Sequence, residues 1–402
     1  MKKYKSYKYR IYPNDIQKEL IEKTFGCSRF IWNKMLEDRK NQIFYNGKLS
    51  KITPAKYKEE YTWLREVDSM ALCNAQKQFD IAFSRFCREK NIGFPKSRKK
   101  KGLQSYTTNY HKDRNNIRFI EGKFLHLPKL GNVKIKMHRE ISDDCNIKEA
   151  VIKRNPSNNY YVCIVVEYET KSNNNELDIN NSIGLDYSSS FLYVDSNGVV
   201  ANMPHFYRKS EKRLAIAQRK LSHMVIGSNN YQKQLLIVNR IYEKIRNQRN
   251  DYLHKITTNL SNNYDYIFIE DINLTNIAKS LKSLGKSTMD NGFGLFRKFL
   301  SYKMENKCKY LVKIDKMFPS SKKCHVCGYK KIDMTLNDRK WKCPICESLL
   351  DRDVNAAINI RNEGIRLVKN NLGVQGDSLC NLNLYRFLNK KTFCYTTTLD
   401  CD

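Results

Sequence analysis

Residues 343–360 read CPICESLLDRDVNAAINI, a stretch in which a close cysteine pair precedes two aspartates and an apolar helical pattern. A second close pair lies upstream, which makes the full spacing C-x2-C-x15-C-x2-C. Two tight knuckles of this kind present four sulfurs to a common centre, the tetrahedral arrangement that Zn²⁺ adopts in structural sites. A redox centre would need only one C-x-x-C in a βαβ setting. The spacing therefore predicts a zinc ligand set of Cys324, Cys327, Cys343 and Cys346.

The predicted zinc site is structural. All four positions are sulfur, which leaves no open position for water or substrate. Structural zinc contributes on the order of 10 kcal/mol or more to the fold around it. His325, inside the first knuckle, is expected to be an exposed side chain. The other nine of the 13 cysteines are scattered singly in a long chain, which argues against a disulfide framework and for a reducing compartment.

Three acidic residues stand where an apolar strand ends or a helix begins: Asp186 after SIGL, Glu270 after YIFI and Asp353 before VNAAINI. Any strand can end in an acid, so each position alone is weak evidence. Two neighbouring strands and a helix packed across the sheet could bring all three together. Crowded carboxylates repel one another without a cation, and oxygen ligands suit Mg²⁺ or Mn²⁺. The set therefore predicts a second metal site.

The start of the last helix separates the two aspartates of DRD. A helix that begins at 353 would bury Val354, Ala357 and Ile358 as one stripe. Asp351 would then cap the free backbone N–H groups, and Asp353 would face the sheet. We therefore predict Asp353 as the metal ligand and Asp351 as the cap or a supporting residue.

Hydrophobic periodicity outlines two domains. Residues 4–12 alternate as a strand does, residues 15–90 follow a helical pattern, and residues 105–170 contain strands separated by turns. The polar stretch KSNNNELDINN, 171–181, predicts a linker with a domain boundary near 175. Strands leading to Asp186 and Glu270, helical patterns and a final helix follow. Further helical patterns cover 205–262 and 293–307, and KYLVKID predicts a strand between the last of these and the cysteines.

The charge balance predicts a polyanionic partner. The 73 Lys and Arg residues against 41 Asp and Glu give a net charge of +32. Nucleic acid fits this charge better than a membrane does, because no polybasic cluster stands beside an amphipathic or lipidated anchor. We find no apolar run near the ~18 residues of a membrane span and no secretory signal. We therefore expect a cytoplasmic, nucleoid-associated bacterial protein.

The motifs, taken in order, resemble one family. They are YKYRIYPNDIQ, FGCSRFIWN, AFSRFCREKNIGFPKSRKKK followed by SYTT, GLDYS, KIRNQRNDYLHK, IEDINL, SSKKCHVCG, RKWKCPIC and DRDVNAAINI. The chain resembles the TnpB (OrfB) family of transposon-encoded RNA-guided nucleases, which are related to type V CRISPR effectors. The likeness runs almost end to end. It departs where ESLLDRD follows the second knuckle instead of the Gly and His expected there, and in the tail.

The resemblance implies an α/β multidomain fold. An N-terminal β-barrel (wedge) with an inserted helical recognition bundle would precede an RNase H-like (RuvC) mixed sheet with an inserted zinc ribbon. The implied boundaries are 1–13 and 105–175 for the wedge, 14–104 for the recognition domain, 182–320 and 349–368 for the nuclease, 321–348 for the zinc ribbon and 369–402 for a disordered tail.

The resemblance also implies the chemistry. The family's catalytic positions correspond to Asp186, Glu270 and Asp353. As a hypothesis, two Mg²⁺ or Mn²⁺ ions held ~4 Å apart would activate water and stabilise the leaving 3′ oxygen of a phosphodiester. A guide RNA transcribed from the transposon end would select double-stranded target DNA by pairing, while the protein reads heteroduplex shape and a short adjacent motif. One copy of the chain on the RNA is expected, and a dimer is left open.

Nucleic-acid contacts are expected in three places. Asn and Gln side chains can pair with adenine edges, so helical residues near 74–78 are candidates for reading the adjacent motif. A basic loop and a basic helical pair would grip the nucleic-acid backbones. The candidates are Asn74, Lys77 and Gln78, then Lys96, Arg98, Lys99, Lys100 and Lys101, then Arg219, Lys220, Arg246 and Arg249.

Three other functions are weighed. A compact type V CRISPR effector would share the nuclease motifs and differ in genomic context. A non-cleaving RNA-guided DNA-binding regulator would keep the basic surfaces and lose a carboxylate, whereas all three carboxylates are present. A transposase that joins strands itself is disfavoured, because in the resembled systems a separate enzyme moves the element.

Overall fold

The computed structural model describes residues 2–43, 53–101, 103–169, 177–188, 190–272, 290, 292–335 and 338–372. The chain divides into two compact units, with the division between Ser172 and Asn173. Most of the linker predicted for 171–181 and most of the predicted tail lie outside the described residues. Within the described part of the chain, no helix is both long enough and apolar enough to cross a membrane.

The first unit contains a seven-stranded antiparallel sheet in the order β2-β6-β7-β1-β5-β4-β3. Its strands are β1 (Lys2–Tyr12), β2 (Gln104–Asn109), β3 (Arg118–Ile120), β4 (Phe124–Leu127), β5 (Gly131–Lys136), β6 (Asn146–Arg154) and β7 (Tyr160–Glu169). Alternate residues Tyr7, Tyr9 and Ile11 of β1 point into one core. The ring of Tyr9 lies 6.0 Å from that of Phe119 on β3. Three strand spacings would separate β1 from β3 by about 14 Å in a flat sheet, so the sheet curls around its core.

Three helices complete the first unit: α1 (Asp15–Asn41), α2 (Pro54–Glu60) and α3 (Ser69–Arg88). The Asn14 side chain accepts from the backbone N–H of Gln17, and the Gln17 side chain accepts from that of Asn14. This capping box begins α1 directly after β1. Residues of α1 and α3, among them Ile31 and Phe79, form a second buried cluster.

The second unit is built on a five-stranded mixed sheet in the order β10-β9-β8-β11-β12. Its strands are β8 (Ser182–Tyr187), β9 (Tyr193–Asp195), β10 (Val200–Ala201), β11 (Tyr266–Glu270) and β12 (Tyr310–Ile314). The central strands β8, β11 and β12 are parallel. Four helices accompany them: α4 (Phe206–Ser222), α5 (Asn229–Asn263), α6 (Phe293–Asn306) and α7 (Arg352–Leu372). Because α7 continues to Leu372, residues 369–372 are helical and not part of a disordered tail.

The two faces of the mixed sheet have different partners. Ile267 and Ile269 of β11 pack in a cluster with residues of α5 and α6. Tyr266 and Phe268 pack in another with Ile360 of α7. Side chains alternate along a strand, so Glu270 belongs to the face that α7 covers.

Two glycines allow α7 to lie directly on this sheet. A Cβ atom on Gly184 of β8 would lie 2.2 Å from the carbonyl oxygen of Ala357. A Cβ atom on Gly364 of α7 would lie 2.0 Å from Cδ1 of Phe268. Any larger residue at either position would push the helix away from the sheet.

A small hairpin immediately precedes α7. It pairs β13 (Lys340–Lys342) with β14 (Leu349–Asp351), in a register that sets Trp341 opposite Leu350. These two residues form a small cluster with Cys324 and Cys343. The last residue of β14 is the residue before α7, so the cysteine-rich segment is joined to the helix without a loop.

Candidate active site and metal centre

Asp186 and Glu270 lie side by side at the carboxyl ends of two parallel strands. Leu185 of β8 is in register with Ile269 of β11, and the two acids occupy the next positions. Asp186 shares a strand face with Gly184, which contacts α7, so both carboxylates point toward the helix. Asp353 lies in the first turn of that helix. Three separate elements thus direct one carboxylate each to the same end of the sheet.

The electrostatics of Asp186 reflect this arrangement. Desolvation by the surrounding protein, and then the negative charges of Glu270 and Asp353, raise the pKa of Asp186 well above its ordinary range. Burial also raises the pKa of Glu270, although a hydrogen bond from Ser320 opposes that effect. The protein alone therefore disfavours full ionisation of the pair, and a bound cation would favour it.

Two arginines engage Asp353. Nη1 of Arg339 donates to Oδ2 at 3.1 Å, and Nε of Arg352 donates to Oδ1 at 3.1 Å. Among the described residues, the cysteine set alone brings three or more acidic, histidine or cysteine ligand atoms within 4.8 Å of one another. The three carboxylates thus interact electrostatically without forming a close-packed oxygen cluster, and Asp353 is neutralised by guanidinium groups. Arg339 carried no expectation from the sequence, because an Arg in a loop has no periodic signal.

The predicted capping role of Asp351 is confirmed. Its Oδ1 accepts from the backbone N–H groups of Asp353 at 3.0 Å and Val354 at 3.1 Å. The helix begins at Arg352, one residue before the predicted start. The predicted buried stripe is only partly right, because Val354 and Ile358 are half-buried and Ala357 is fully buried.

Two buried asparagines of α7 were missed by sequence reasoning. Asn355 donates to the backbone carbonyl of Lys323 at 2.8 Å and accepts from the backbone N–H of His325 at 3.0 Å. Asn359 donates to the carbonyls of Ser320, at 2.8 Å, and Lys323. These bonds attach the first cysteine knuckle to the helix. The prediction that His325 is an exposed side chain is wrong, because it is half-buried and its Nδ1 lies 3.0 Å from Oδ1 of Asn355.

The four predicted zinc ligands lie together. Sγ atoms of Cys324 and Cys346 are 3.6 Å apart, and those of Cys327 and Cys343 are 3.5 Å apart. A tetrahedral site with Zn–S bonds of about 2.3 Å separates its sulfurs by about 3.8 Å. The hydroxyl and backbone N–H of Ser348 lower the pKa of Cys346 to about 6, which favours the thiolate that zinc requires. Spacing and chemistry both fit a structural zinc ion.

The predicted basic loop is partly exposed and partly built into the first unit. Arg98 lies over the ring of Trp32, with Cζ 3.7 Å from the ring centroid, and donates to Gln78 at 2.9 Å. Burial lowers the pKa of Arg98 to about 10, so the side chain remains charged at neutral pH. Exposed lysines surround it, namely Lys96, Lys99, Lys100 and Lys101.

The predicted motif-reading residues differ in accessibility. Lys77 and Gln78 are exposed. The expectation that Asn74 lies off the buried stripe of α3 is wrong, since it is 8% exposed. Its amide donates to the carbonyl of Thr107 at 2.9 Å and to Oδ1 of Asn109 at 2.8 Å. In this structure Asn74 therefore joins α3 to β2.

The basic residues of α4 and α5 also divide into two groups. Arg219, Lys220 and Arg246 are exposed. Arg249 instead donates to Asp290 at 2.9 Å, and the Asp290 side chain is almost fully buried. That contact accounts for Arg249 as a structural residue. A basic groove that the candidate set omitted lies between the two helices and is lined in part by Arg213, Arg240 and Lys244.

Comparison with known families gives three matches. The OrfB_IS605 family, described as "Probable transposase", matches residues 163–281, and "Cas12f1-like, TNB domain" matches residues 293–360. The "Helix-turn-helix domain" of OrfB_IS605 matches residues 1–48, whose described part folds here as β1 and α1.

Relatives match nearly the whole chain. A "Putative RNA-guided DNA endonuclease" of Streptomyces pristinaespiralis is 31% identical over 370 residues, covering 90% of this chain and 89% of that protein. "Putative RNA-guided DNA endonuclease InsQ" of Escherichia coli K12 is 28% identical over 389 residues, covering 90% and 93%. The cryo-EM structure of a Cas12f1–sgRNA–target DNA complex matches with a TM-score of 0.56 at 13% identity, covering 90% and 99%, which is a likeness of fold. Since a relative above 30% identity is matched over most of its length, and the OrfB_IS605 model is matched within the same chain, this protein belongs to the OrfB (TnpB) family.

Proposed function

We propose that the chain is an RNA-guided DNA endonuclease that hydrolyses phosphodiester bonds in a guide-complementary target beside a short DNA motif. The observation that carries the proposal is the convergence of Asp186, Glu270 and Asp353 at one end of the mixed sheet. Membership of the OrfB family and relatives named as RNA-guided DNA endonucleases support it.

The residues fit a divalent metal site. A desolvated carboxylate beside two further negative charges has a raised pKa without a cation, and Mg²⁺ or Mn²⁺ would favour the charged form. Asp186, Glu270 and Asp353 would hold the metal. When bound, such a metal lowers the pKa of water and stabilises a leaving oxygen.

The protein's own groups prepare this site. Parallel register fixes Asp186 beside Glu270, the Asp351 cap fixes the first turn of α7, and Arg339 and Arg352 balance the charge of Asp353. The zinc hairpin contributes no ligand of its own to the carboxylate site. Its role is to hold the start of α7.

We extend the proposal to the domain layout. The curled sheet and its helices would form the wedge and recognition domains, within 1–13, 105–175 and 14–104. The mixed sheet with α7 would form a RuvC-type nuclease domain, and the hairpin a zinc ribbon. The exposed lysines of the loop 96–101 and the exposed arginines of α4 and α5 would contact guide RNA and target DNA backbones. Lys77 and Gln78 remain exposed candidates for reading the adjacent motif.

The test begins with the RNA. The protein is purified with co-expressed RNA from its own locus, the bound RNA is sequenced, and matching duplexes with randomised flanks are supplied with Mg²⁺. We expect cleavage of matched targets that carry one flanking motif. Asp353→Ala and Glu270→Gln should lower the rate at least about 100-fold, since a metal supplies several kcal/mol of transition-state stabilisation.

The matched control is Asp251→Ala, which removes an exposed helical carboxylate paired with Lys255. It should cleave at the wild-type rate. A non-cleaving RNA-guided regulator would bind the matched duplex and leave it intact under every metal tested. Full activity of Asp353→Ala would refute the site.

A further inference from the structure

Ser320 lies at a junction between the carboxylate site and the zinc site. It follows β12 in the sequence FPSSKKC, four residues before the zinc ligand Cys324. It is 6% exposed, and its hydroxyl donates to Oε1 of Glu270. A residue so buried has little surface to offer a nucleic acid directly. Its polar contact is with a carboxylate that the proposed reaction uses.

The main chain of Ser320 is held by α7. Nδ2 of Asn359 donates to its carbonyl oxygen at 2.8 Å, and the same amide also donates to the carbonyl of Lys323. Asn359 is itself buried. The position of the Ser320 hydroxyl is thus set by the helix that carries Asp353.

We propose that Ser320 is a positioning residue for Glu270. By occupying Oε1 it fixes the rotation of the carboxyl group, so that Oε2 is directed to the site shared with Asp186 and Asp353. Because Asn359 fixes Ser320, the orientation of Glu270 follows the placement of α7. Residues that orient metal ligands in this way typically contribute 10–100-fold to metal affinity or activity.

The adjacent serine provides a matched control. Ser321 is half-buried in the same turn, and within the described chain no hydrogen bond from its hydroxyl to another residue is present. Ser321→Ala therefore removes the same group one position away. Ser320→Thr and Ser320→Val form a second matched pair, because they have nearly the same shape and only threonine keeps the hydroxyl.

This inference rests on the proposed function, so its test has a readout that does not need cleavage. Mn²⁺ binding to the RNA-loaded protein is measured by calorimetry for the wild type and for Ser320→Ala, Ser320→Thr, Ser320→Val and Ser321→Ala. Cleavage is measured in parallel as a function of Mg²⁺ concentration. Zinc content and melting temperature are recorded for each variant.

We expect Ser320→Ala and Ser320→Val to bind Mn²⁺ about 10–100-fold more weakly, with Ser320→Thr and Ser321→Ala close to the wild type. The half-maximal Mg²⁺ concentration for cleavage should rise in the same two variants. Unchanged Mn²⁺ affinity in Ser320→Val overturns the inference. Equal losses in the Thr and Val variants, with zinc loss or lower melting temperature, overturn it in favour of a packing role.

The two proposals fail in different ways. If the wild-type complex binds Mn²⁺ but cleaves no matched duplex, the proposed function fails and the comparison of Mn²⁺ affinities still decides the role of Ser320. If Ser320→Ala does not fold, the Thr and Val pair decides it. If cleavage is normal in Ser320→Val at every Mg²⁺ concentration, Ser320 positions nothing that the reaction needs.

Discussion

Removing the zinc should disable the carboxylate site without unfolding the second unit. The change is Cys343→Ser with Cys346→Ser, which leaves two of four sulfurs. The hairpin has strands of three residues each and a core of few side chains, which is too little for independent stability. Structural zinc supplies on the order of 10 kcal/mol to such a fold. We therefore expect the hairpin to unfold locally.

The consequences can be followed along the chain. Unfolding of the hairpin removes the Asp351 cap, which contributes about 0.5–2 kcal/mol, and the contact between Arg339 and Asp353. It also releases the knuckle that Asn355 and Asn359 hold. The sheet-facing contacts of α7 at Gly184 and Gly364 remain, so the rest of the helix should stay in place. The first turn, with Asp353, should fray.

The assay combines zinc release by a chromogenic chelator, thermal melting and cleavage of a matched duplex. We expect zinc to be lost, cleavage to fall at least about 100-fold as it does when a metal ligand is removed, and the main melting transition to move little. The matched control is Cys308→Ser, an exposed cysteine outside the set, which should change none of the three. Full cleavage by the zinc-free double variant would refute the reasoning that the hairpin braces Asp353.

Three further expectations follow from particular contacts. Gly184→Ala should lower stability by about 1–3 kcal/mol or more in urea unfolding, because its Cβ would meet a backbone oxygen, whereas Gly93→Ala, with open space around it, should not. In Mg²⁺-free buffer Asp186→Asn should raise the melting temperature at neutral pH. The folded state raises the pKa of Asp186, so wild-type stability falls as pH rises above the ordinary Asp pKa, and the advantage of the variant should vanish below about pH 4 and shrink when Mg²⁺ is added. Replacing the exposed loop lysines by alanine should reduce the salt dependence of nucleic-acid binding by roughly 0.7–0.9 per lost phosphate contact, measured over a salt series; the set is Lys96, Lys99, Lys100 and Lys101.

Local patterns predicted the elements well. The alternation over 4–12 corresponds to β1 at Lys2–Tyr12, and the helical pattern over 293–307 corresponds to α6 at Phe293–Asn306. The cysteine spacing brought together the four sulfurs that it predicts. These features succeed because each depends on neighbours within a few residues or on a ligand set of fixed geometry.

Buried polar residues were beyond local patterns. Asn74, Asn355 and Asn359 were not expected in the interior, yet each donates to a backbone carbonyl more than 30 residues away in sequence. A buried amide is tolerated when such partners exist, and the partners are fixed only by the tertiary fold. Arg249 follows the same logic, because its charge indicated nucleic acid while a buried Asp290 accepts its hydrogen bond.

The failure of the predicted stripe on α7 explains what DRDVNAAINI encodes. One set of residues, Asp351, Asn355 and Asn359, recurs every four positions and contacts the helix start or the cysteine knuckle. A second set, Asp353, Ala357, Ile360 and Gly364, lies on the face toward the sheet and the carboxylates. At 3.6 residues per turn the two sets lie on roughly opposite sides of the helix. A helix held on both sides cannot show a single apolar stripe.

This arrangement makes the first two turns of α7 a rigid link between two metal sites of different chemistry. The sulfur site fixes the knuckle, the asparagines transmit that position to the helix, and the helix sets Asp353 against Asp186 and, through Asn359 and Ser320, orients Glu270. A shift of the knuckle would therefore displace two of the three carboxylates together. The third, Asp186, is fixed by the sheet alone, so loss of zinc should weaken the grouping of the carboxylates and leave the parallel register that begins it unchanged.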